Sequence, residues 1–260
     1  MSIAVISLSN EGARLAAALA AQLPPCQIHL HAQVTELPAV PRFERICELT
    51  QRLFSTHRGL IYIAPTGVVV RAISPCLAHK TSDPAVVAVD VGGRWAISLL
   101  SGHEGGANEL AITVSNILAA EPVISTSTEA LKTLIVGIGC RRGVPAQQIV
   151  TAVYSTLAMA SVTSDRVRLL ASASIKADEP GLLAASRQLG IPLRLISADE
   201  LRQCPRNFAR SAFVQKKVNL PAVAEPAALL AGRRTRLLVP KQTFSGVTVA
   251  VAQESCMWSA

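Results

Sequence analysis

Aromatic side chains are scarce in this chain: phenylalanine, tyrosine and tryptophan together make up 3% of its 260 residues. Proteins that bind single-stranded nucleic acid usually stack the bases on aromatic rings, so this scarcity argues against that class. Acidic residues are also few: the chain has 17 aspartates and glutamates but 25 lysines and arginines, so its formal net charge is +8. A basic chain suits nucleic acid, an anionic membrane surface or an acidic small molecule. Because the arginines are dispersed, apart from Arg141-Arg142 and Arg233-Arg234, the composition favours an anionic small molecule.

The six cysteines show neither a CxxC pair nor a regular spacing. That distribution is not a disulfide framework or a zinc signature, and we expect no metal site. The amino terminus, MSIAVISLSNEG, lacks the basic start and the cleavage site of a signal peptide. One uncharged run, 143–164, is long enough to span a bilayer, but its proline, glutamines and hydroxyl residues predict a partly buried helix. We therefore expect a cytoplasmic protein with no membrane contact.

Half of the residues are hydrophobic, and most of these are alanine, valine, leucine and isoleucine. Short apolar runs alternate with alanine-rich helical stretches, which is typical of α/β proteins. A patch of serine and threonine at 125–128 separates two halves of the chain. The sequence therefore predicts two consecutive three-layer α/β domains, 1–128 and 129–260, with glycine-rich strand-to-helix loops at a shared cleft.

The most informative stretch is 99–108, LLSGHEGGAN, where an apolar strand (95–100) meets a glycine-rich turn and then a helix (107–120). Ligands of open α/β sheets bind at the carboxyl ends of strands, and glycines let the backbone approach them closely. The free N–H groups at the start of the helix suit an anion. Four polar side chains crowd the turn: Ser101, His103, Glu104 and Asn108. The alternative is an ordinary connection with an exposed His103.

Two further polar clusters lie at strand ends in the first half: Thr66-Gly67 after strand 60–64, and 79–83 before strand 85–89. Taken alone, Lys80 is a solvated lysine and Asp83 is a turn residue before a proline. Helical spacing of apolar residues predicts a helix over 43–54. Gly92-Gly93 predicts a hairpin-like turn between strands 85–89 and 95–100.

The second half opens in the same way, with an apolar strand from Leu134, the turn GIGCRRG (137–143) and a helix over 145–159. The glycine spacing misses the dinucleotide fingerprint by one residue, so it argues weakly for a nicotinamide or flavin. Arg141 and Arg142 beside a helix start suit carboxylates, and the alternative is two surface arginines. Two final strands, 236–239 and 246–252, flank a predicted connection at 240–242.

Eight short strings, in order along the chain, resemble the CbiG family, the cobalt-precorrin-5A hydrolases of the anaerobic cobalamin pathway. The strings of the first half resemble its N-terminal domain: Gly67 with 71–75, then 80–87, then 99–103 with 105–108. Those of the second half resemble its C-terminal domain, which is itself similar to the stand-alone protein CobE: 137–143, Lys176 with 179–181, Ser211, 225–228 and Lys241.

The resemblance implies a hydrolase that opens the ring A δ-lactone of cobalt-precorrin-5A and releases acetaldehyde, giving cobalt-precorrin-5B. The substrate carries many carboxylates, which agrees with the basic charge. Its cobalt is already chelated by the macrocycle, so we expect no cofactor.

We take as a hypothesis that His103 is the general base that activates water, with Glu104 or Asp83 orienting its ring. The oxyanion would be held by N–H groups of Gly105 and Gly106, by Asn108 or by Lys80. The full set of predicted substrate-binding residues is Gly67, Arg71, Ser101, Gly102, Gly105, Gly106, Asn108, Gly139, Cys140, Arg141, Arg142, Lys176 and Glu225. Of these, Arg71, Arg141 and Arg142 would bind peripheral carboxylates.

Members of the family commonly carry an additional segment between the two domains, whereas here 126–132 joins them almost directly. The missing segment favours an alternative function, a corrinoid-binding carrier of the same pathway, while the intact loop 101–108 favours the enzyme. The expected partner is an anionic cobalt-corrinoid, with no nucleic acid. A homodimer and transient contact with neighbouring pathway enzymes are left open.

Overall fold

The computed structural model describes residues 2–23 and 25–256. The chain forms two compact units, 1–126 and 127–260, each with its own β-sheet. No helix in the described part of the chain is long and apolar enough to cross a membrane, and the uncharged run 143–164 contains a helix of 14 residues. Both units have the α/β architecture that the sequence predicts.

The first unit is built on a seven-stranded sheet with the order β3-β2-β1-β4-β5-β6-β7. Its strands are β1 (Ile3–Ser7), β2 (Cys26–His31), β3 (Arg42–Phe43), β4 (Gly59–Ile63), β5 (Ala85–Val89), β6 (Trp95–Leu100) and β7 (Glu121–Val123). The two central strands, β4 and β5, are buried along their whole length, which explains their unbroken apolar sequences. All neighbouring strands are parallel except β5 and β6.

Helices cover both faces of this sheet and complete the three layers. They are α1 (Asn10–Ala20), α2 (Ile46–Phe54), α3 (Thr66–Ile73) and α4 (Ala107–Leu118). The α1 and α4 helices pack in one apolar cluster with alternate residues of β1, β4 and β5, while α2 and α3 pack in another with the remaining residues of these strands. The helix predicted over 43–54 begins later, at Ile46, because Phe43 pairs with His31 in the sheet.

A tight hairpin reverses the chain between β5 and β6. The Asp90 carboxylate accepts the N–H groups of Arg94 at 2.7 Å and Trp95 at 2.8 Å, and Gly93 supplies a left-handed residue with φ 67°. The predicted hairpin is thereby confirmed, and β6 runs antiparallel to β5 with Leu100 beside Val86. The carboxyl end of β6 therefore lies at the edge of the sheet where β4 and β5 begin.

The second unit has a five-stranded sheet with the order β10-β9-β8-β12-β11. Its strands are β8 (Leu134–Cys140), β9 (Val167–Ala173), β10 (Leu193–Ile196), β11 (Thr235–Phe244) and β12 (Val247–Glu254). Its α-helices are α5 (Ser127–Ala130), α6 (Ala146–Met159), α7 (Pro180–Leu189), α8 (Ala198–Arg202), α9 (Ala212–Val218) and α10 (Ala224–Leu230). The first three strands are parallel, and β12 and β11 form an antiparallel hairpin beside β8.

The two faces of β8 receive different helices. Val136 and Ile138 lie in the main core with α6 and α7, whereas Gly137, between them, faces the start of α10. A Cβ on Gly137 would collide with the carbonyl oxygen of Ala224, so glycine at this position allows the helix to sit directly on the strand.

The predicted connection at 240–242 is wrong, because these residues lie inside β11. The turn comes later, at Ser245 and Gly246, where Gly246 has φ 77°. Pro240 is tolerated because β11 is an edge strand, and the pairing with β12 is irregular between Val239 and Gln242.

Candidate functional site

Two backbone hydrogen bonds close the loop between β6 and α4. The N–H of Ala107 donates to the carbonyl of Ser101 at 3.1 Å, and the N–H of Asn108 donates to the carbonyl of Gly102 at 3.0 Å. Gly105 packs against this closure, since a Cβ there would collide with the Ser101 side chain and lie 2.9 Å from its carbonyl oxygen. The loop therefore requires glycine at position 105, because there is no space for a side chain.

The N–H groups of Gly105 and Gly106 have no protein acceptor within the described residues, although they immediately precede α4. Gly106 is left-handed, with φ 86°, a conformation that glycine adopts without strain. Unpaired N–H groups at the start of a 12-residue helix are available to an anion.

Ser101 is the most unusual residue of the loop. Its backbone is left-handed, with φ 56°, which is uncommon for a residue that has a Cβ. The residue is 8% exposed, and its buried hydroxyl has no hydrogen-bond partner among the described residues. A strained backbone and an unpaired buried hydroxyl each reduce the stability of the fold. Such unfavourable features are found most often at functional sites.

The His103 side chain is exposed, and no hydrogen bond to its ring occurs in the part of the chain that the structure describes. Glu104 instead faces Lys80, with 3.5 Å between Oε1 and Nζ. The N–H of Glu104 itself and the charge of Lys80 hold the pKa of this carboxyl below its usual value. The structure thus brings Lys80 and Glu104 together, and the charge of His103 also lowers the pKa of the Glu104 carboxyl.

Asp83 has a structural position. It is 8% exposed and accepts the N–H groups of Ala78 at 3.1 Å and His79 at 3.2 Å. Its carboxylate therefore closes the turn that carries Lys80. Both of its oxygens accept N–H groups of the turn, and the role of Asp83 in orienting His103 stays a prediction.

Asn108 also serves the local structure. Its side-chain oxygen accepts the Ser98 hydroxyl at 2.8 Å, and its NH2 group donates to the Thr126 hydroxyl at 3.0 Å. A Cβ on Gly102 would lie 2.6 Å from the Thr126 methyl group, so glycine is needed where the chain crosses this network. Asn108 fixes the loop to Thr126, and its contact with an oxyanion stays a prediction.

Gly67 and Arg71 lie elsewhere in the first unit. Gly67 is in the first turn of α3, which follows the carboxyl end of β4, and the guanidinium of Arg71 donates to the Gly67 carbonyl at 3.0 Å. Since β6 runs antiparallel to its neighbour β5, the loop 101–106 and Gly67 lie at opposite edges of the sheet. The structure does not bring Gly67 to the loop.

In the second unit, Glu179 joins the loop after β8 to the turn after β9. Its Oε1 accepts the Gly143 N–H at 2.8 Å, and its Oε2 lies 3.0 Å from Lys176 Nζ. Burial raises the pKa of the Glu179 carboxyl, but the Gly143 hydrogen bond and Lys176 outweigh it, so the pKa is lowered overall. Glu179 lies in a string that resembles the family but was not predicted as a site residue, although a glutamate three residues after Lys176 and directly before Pro180 is a signal for such a pair.

The remaining residues of this edge surround Glu179 less tightly. Arg142 pairs with Asp178 at 3.2 Å, and both side chains are largely exposed. The Arg141 N–H donates to the Gly246 carbonyl at 2.8 Å, while its guanidinium has no partner among the described residues. Burial raises the pKa of the Cys140 thiol, so it is a poor nucleophile at neutral pH.

Gly139 and Glu225 are held by structural contacts. The Gly139 carbonyl accepts the Thr248 hydroxyl at 3.2 Å. Glu225 is 3% exposed and accepts the N–H groups of Ala209 at 2.6 Å and Lys241 at 2.8 Å. Its carboxylate joins a loop to β11, so this geometry does not support the predicted substrate contact. Among the described residues, no three histidine, cysteine, aspartate or glutamate side chains gather as metal ligands.

The family models match both units. The model described as cobalamin synthesis G N-terminal matches residues 48–129, and the one described as cobalamin synthesis G C-terminus matches residues 134–252. Only residues 130–133 lie between the two matches.

Three known proteins are similar to this chain. A cobalt-precorrin-5A hydrolase of Salmonella typhimurium is 26% identical over 96% of this chain and 97% of its own length. Protein CobE of Sinorhizobium is 34% identical over 48% of this chain and 83% of its own length. The crystal structure of a CobE protein is 32% identical over 47% of this chain and 91% of its own, with a TM-score of 0.44.

The two matches follow one another in the order of the family's domains, and CobE matches about half of the chain at 34% identity. The chain belongs to the cobalamin synthesis G family, with an N-terminal and a C-terminal domain in direct succession.

Proposed function

We propose that this chain is a cobalt-precorrin-5A hydrolase of cobalamin biosynthesis. The observation that carries the proposal is the end-to-end similarity to a hydrolase of that name, over 96% of this chain and 97% of the relative. The loop 101–106 supports it, because an exposed imidazole stands two residues from unpaired backbone N–H groups.

The chemistry begins with hydrolysis of the lactone. His103 removes a proton from water, which attacks the lactone carbonyl, and the N–H groups of Gly105 and Gly106 stabilise the oxyanion. The acyl C–O bond then breaks, giving a carboxylate and an alcohol. We propose that Lys80, whose Nζ lies 3.5 Å from Glu104 Oε1, donates a hydrogen bond to the developing anion.

The second step releases the two-carbon unit. Removal of the alcohol proton lets the adjacent C–C bond break, so that acetaldehyde leaves and the electron pair passes to the macrocycle, which takes up a proton. The sum of both steps consumes one water molecule and produces one acetaldehyde.

The remaining expectations are part of the same proposal. Arg141 and Arg142 bind peripheral carboxylates of the corrinoid, as guanidinium groups do with bidentate hydrogen bonds. The protein uses no cofactor, since the cobalt belongs to the substrate, and acts in the cytoplasm on an anionic cobalt-corrinoid without nucleic acid.

A carrier of corrinoid intermediates is the second candidate. The alignment to the Salmonella hydrolase covers 342 positions, whereas this chain has 260 residues. The relative therefore has residues without a counterpart here, and this difference favours the carrier. A carrier would need the binding residues and not the water-activating His103.

Anaerobic incubation with cobalt-precorrin-5A separates the two functions. A hydrolase releases one acetaldehyde per corrinoid, trapped as a hydrazone, and the corrinoid loses C2H2 by mass spectrometry. Saturable binding of an unchanged corrinoid would overturn the hydrolase and establish the carrier. Absence of binding would overturn both.

A further inference from the structure

A basic cavity in the second unit is lined by residues that the candidate functional site does not include. It has a volume of about 590 Å³ and is lined by Arg206, Gly232, Arg233, Arg234, Ser255 and Cys256. Sites for small molecules usually have volumes of roughly 300–1,000 Å³. We propose that this cavity binds a small polyanion, one that carries phosphate groups or clustered carboxylates, separately from the proposed hydrolysis.

The cavity lies at the edge of the sheet opposite to Arg141 and Arg142. Residues 233–234 directly precede β11, and residues 255–256 directly follow β12. Thr235 pairs with Glu254, and Gln253 pairs with Leu134, the first residue of β8. The cavity therefore lies at the end of the sheet where β8 begins. Cys140, next to Arg141, is the last residue of β8, and this strand is seven residues long. At about 3.3 Å per residue the two places are roughly 20 Å apart, so they are distinct sites.

No ion pair within residues 2–23 and 25–256 neutralises the arginines of the cavity. Within the described residues, Arg206, Arg233 and Arg234 form no side-chain ion pair. The neighbouring carboxylate, Glu254, is already engaged, since it lies 2.6 Å from the guanidinium of Arg168 and accepts the N–H of Arg233 at 2.6 Å. Three arginines line one cavity, and their charges favour a ligand with at least two negative charges.

The turn that presents the arginines is held in place on both sides. The carbonyl of Arg234 accepts the N–H of Ser255 at 3.3 Å, and the Thr235 hydroxyl donates to the Leu229 carbonyl at 2.6 Å. Gly232 packs so closely on Ile135 that a Cβ would collide with it. The arginines thus project from a backbone that is organised before any ligand binds.

Arg234 has a left-handed backbone, with φ 51°. A residue with a Cβ adopts this conformation at a cost, and such residues concentrate at ligand sites. Glycine or asparagine would fit the same turn with less strain. We infer that an arginine is kept at this position for its charge, since Arg234 is one of the residues that line the cavity.

Isothermal titration calorimetry of the full chain tests the proposal, with pyrophosphate and tricarballylate as separate probes at constant ionic strength. We expect saturable binding of one ion per chain for at least one probe. Pyrophosphate binding would indicate a phosphate ligand, and tricarballylate binding a carboxylate ligand. Neither result depends on hydrolysis of a corrinoid, so failure here would leave the proposed hydrolase intact.

Substitutions locate the binding. Arg234→Asn, which suits the left-handed turn, and Arg206→Gln, on an exposed loop, should each weaken binding about tenfold. Arg236→Gln removes the same charge from the neighbouring strand outside the cavity and should leave binding unchanged. Heats that do not saturate, or equal weakening by all three substitutions, would overturn the proposal.

Discussion

Glu179 Oε2 lies 3.0 Å from the Nζ of Lys176, and this pair is nearly closed to solvent, with side-chain exposures of 2% and 17%. The other carboxylate oxygen accepts the Gly143 N–H at 2.8 Å. One side chain therefore fixes both the loop after β8 and the turn after β9. The loop that carries Arg141 and Arg142 depends on it.

Glu179→Gln should lower the free energy of unfolding by about 2 kcal/mol at pH 7, because Lys176 loses a buried charged partner. The pKa of Glu179 lies below its ordinary value of 4.5, so its stabilising contribution is present above pH 4.5 and lost as the pH falls through the lower folded value. The difference between the two proteins should shrink under acidic conditions. Urea denaturation between neutral and acidic pH measures it.

The exposed neighbour Asp178 provides the control for that experiment. Its pair with Arg142 is largely in solvent, so Asp178→Asn should change stability by less than about 1 kcal/mol. Equal effects of the two substitutions would show that Glu179 does not hold the loop.

Substitution of Gly105 should destabilise the protein more than substitution of Gly106. Gly105→Ala places a Cβ against Ser101 and should destabilise the protein by about 2 kcal/mol. A Cβ on Gly106 meets nothing within 4 Å, and asparagine tolerates φ 86°, so Gly106→Asn should cost less than about 1 kcal/mol. Thermal denaturation ranks the two variants, and a reversed order would contradict the loop geometry.

Ser101→Gly should stabilise the fold and slow the reaction. Glycine removes the strain of φ 56° and the unpaired hydroxyl, at an entropic cost, for a net gain of about 1 kcal/mol. If the hydroxyl is reserved for the substrate, turnover should fall about tenfold. Denaturation and an acetaldehyde assay measure the two effects.

Asn219→Gly is the matched control, since Asn219 is also left-handed, with φ 52°, at the end of α9. It should leave turnover unchanged. Full activity in Ser101→Gly would assign Ser101 to the fold alone.

The order of strands and helices follows from the sequence because local patterns carry it. The buried strand β5 is an unbroken apolar run, and β6 ends at glycines that start α4. Local patterns do not show at which edge of the sheet a loop lies, because that depends on the direction of the strand before it. The predicted hairpin at Gly92-Gly93 already implied that β6 is antiparallel to β5. Gly67 was nevertheless predicted to form one site with the loop 101–108.

The roles of polar side chains are harder to predict, since their partners are often backbone groups far away in the sequence. Glu225 accepts the N–H groups of residues 16 positions away on either side, which no spacing rule reveals. Asn108 reaches Thr126, 18 positions away. Lys80 and Glu104 were predicted to hold an oxyanion and to orient His103, respectively. Their pairing was not predicted, and the structure places their charges 3.5 Å apart.

The most direct test of the account is a single-turnover assay of acetaldehyde release from cobalt-precorrin-5A by His103→Ala. The matched control is His79→Ala, which removes an imidazole from the neighbouring turn, where its Nδ1 contacts the Thr81 hydroxyl at 2.8 Å. We predict that His103→Ala binds the corrinoid as the unmodified protein does and releases acetaldehyde about 100-fold or more slowly, while His79→Ala is unaffected. Acetaldehyde release at the unmodified rate by a folded His103→Ala protein would contradict the account.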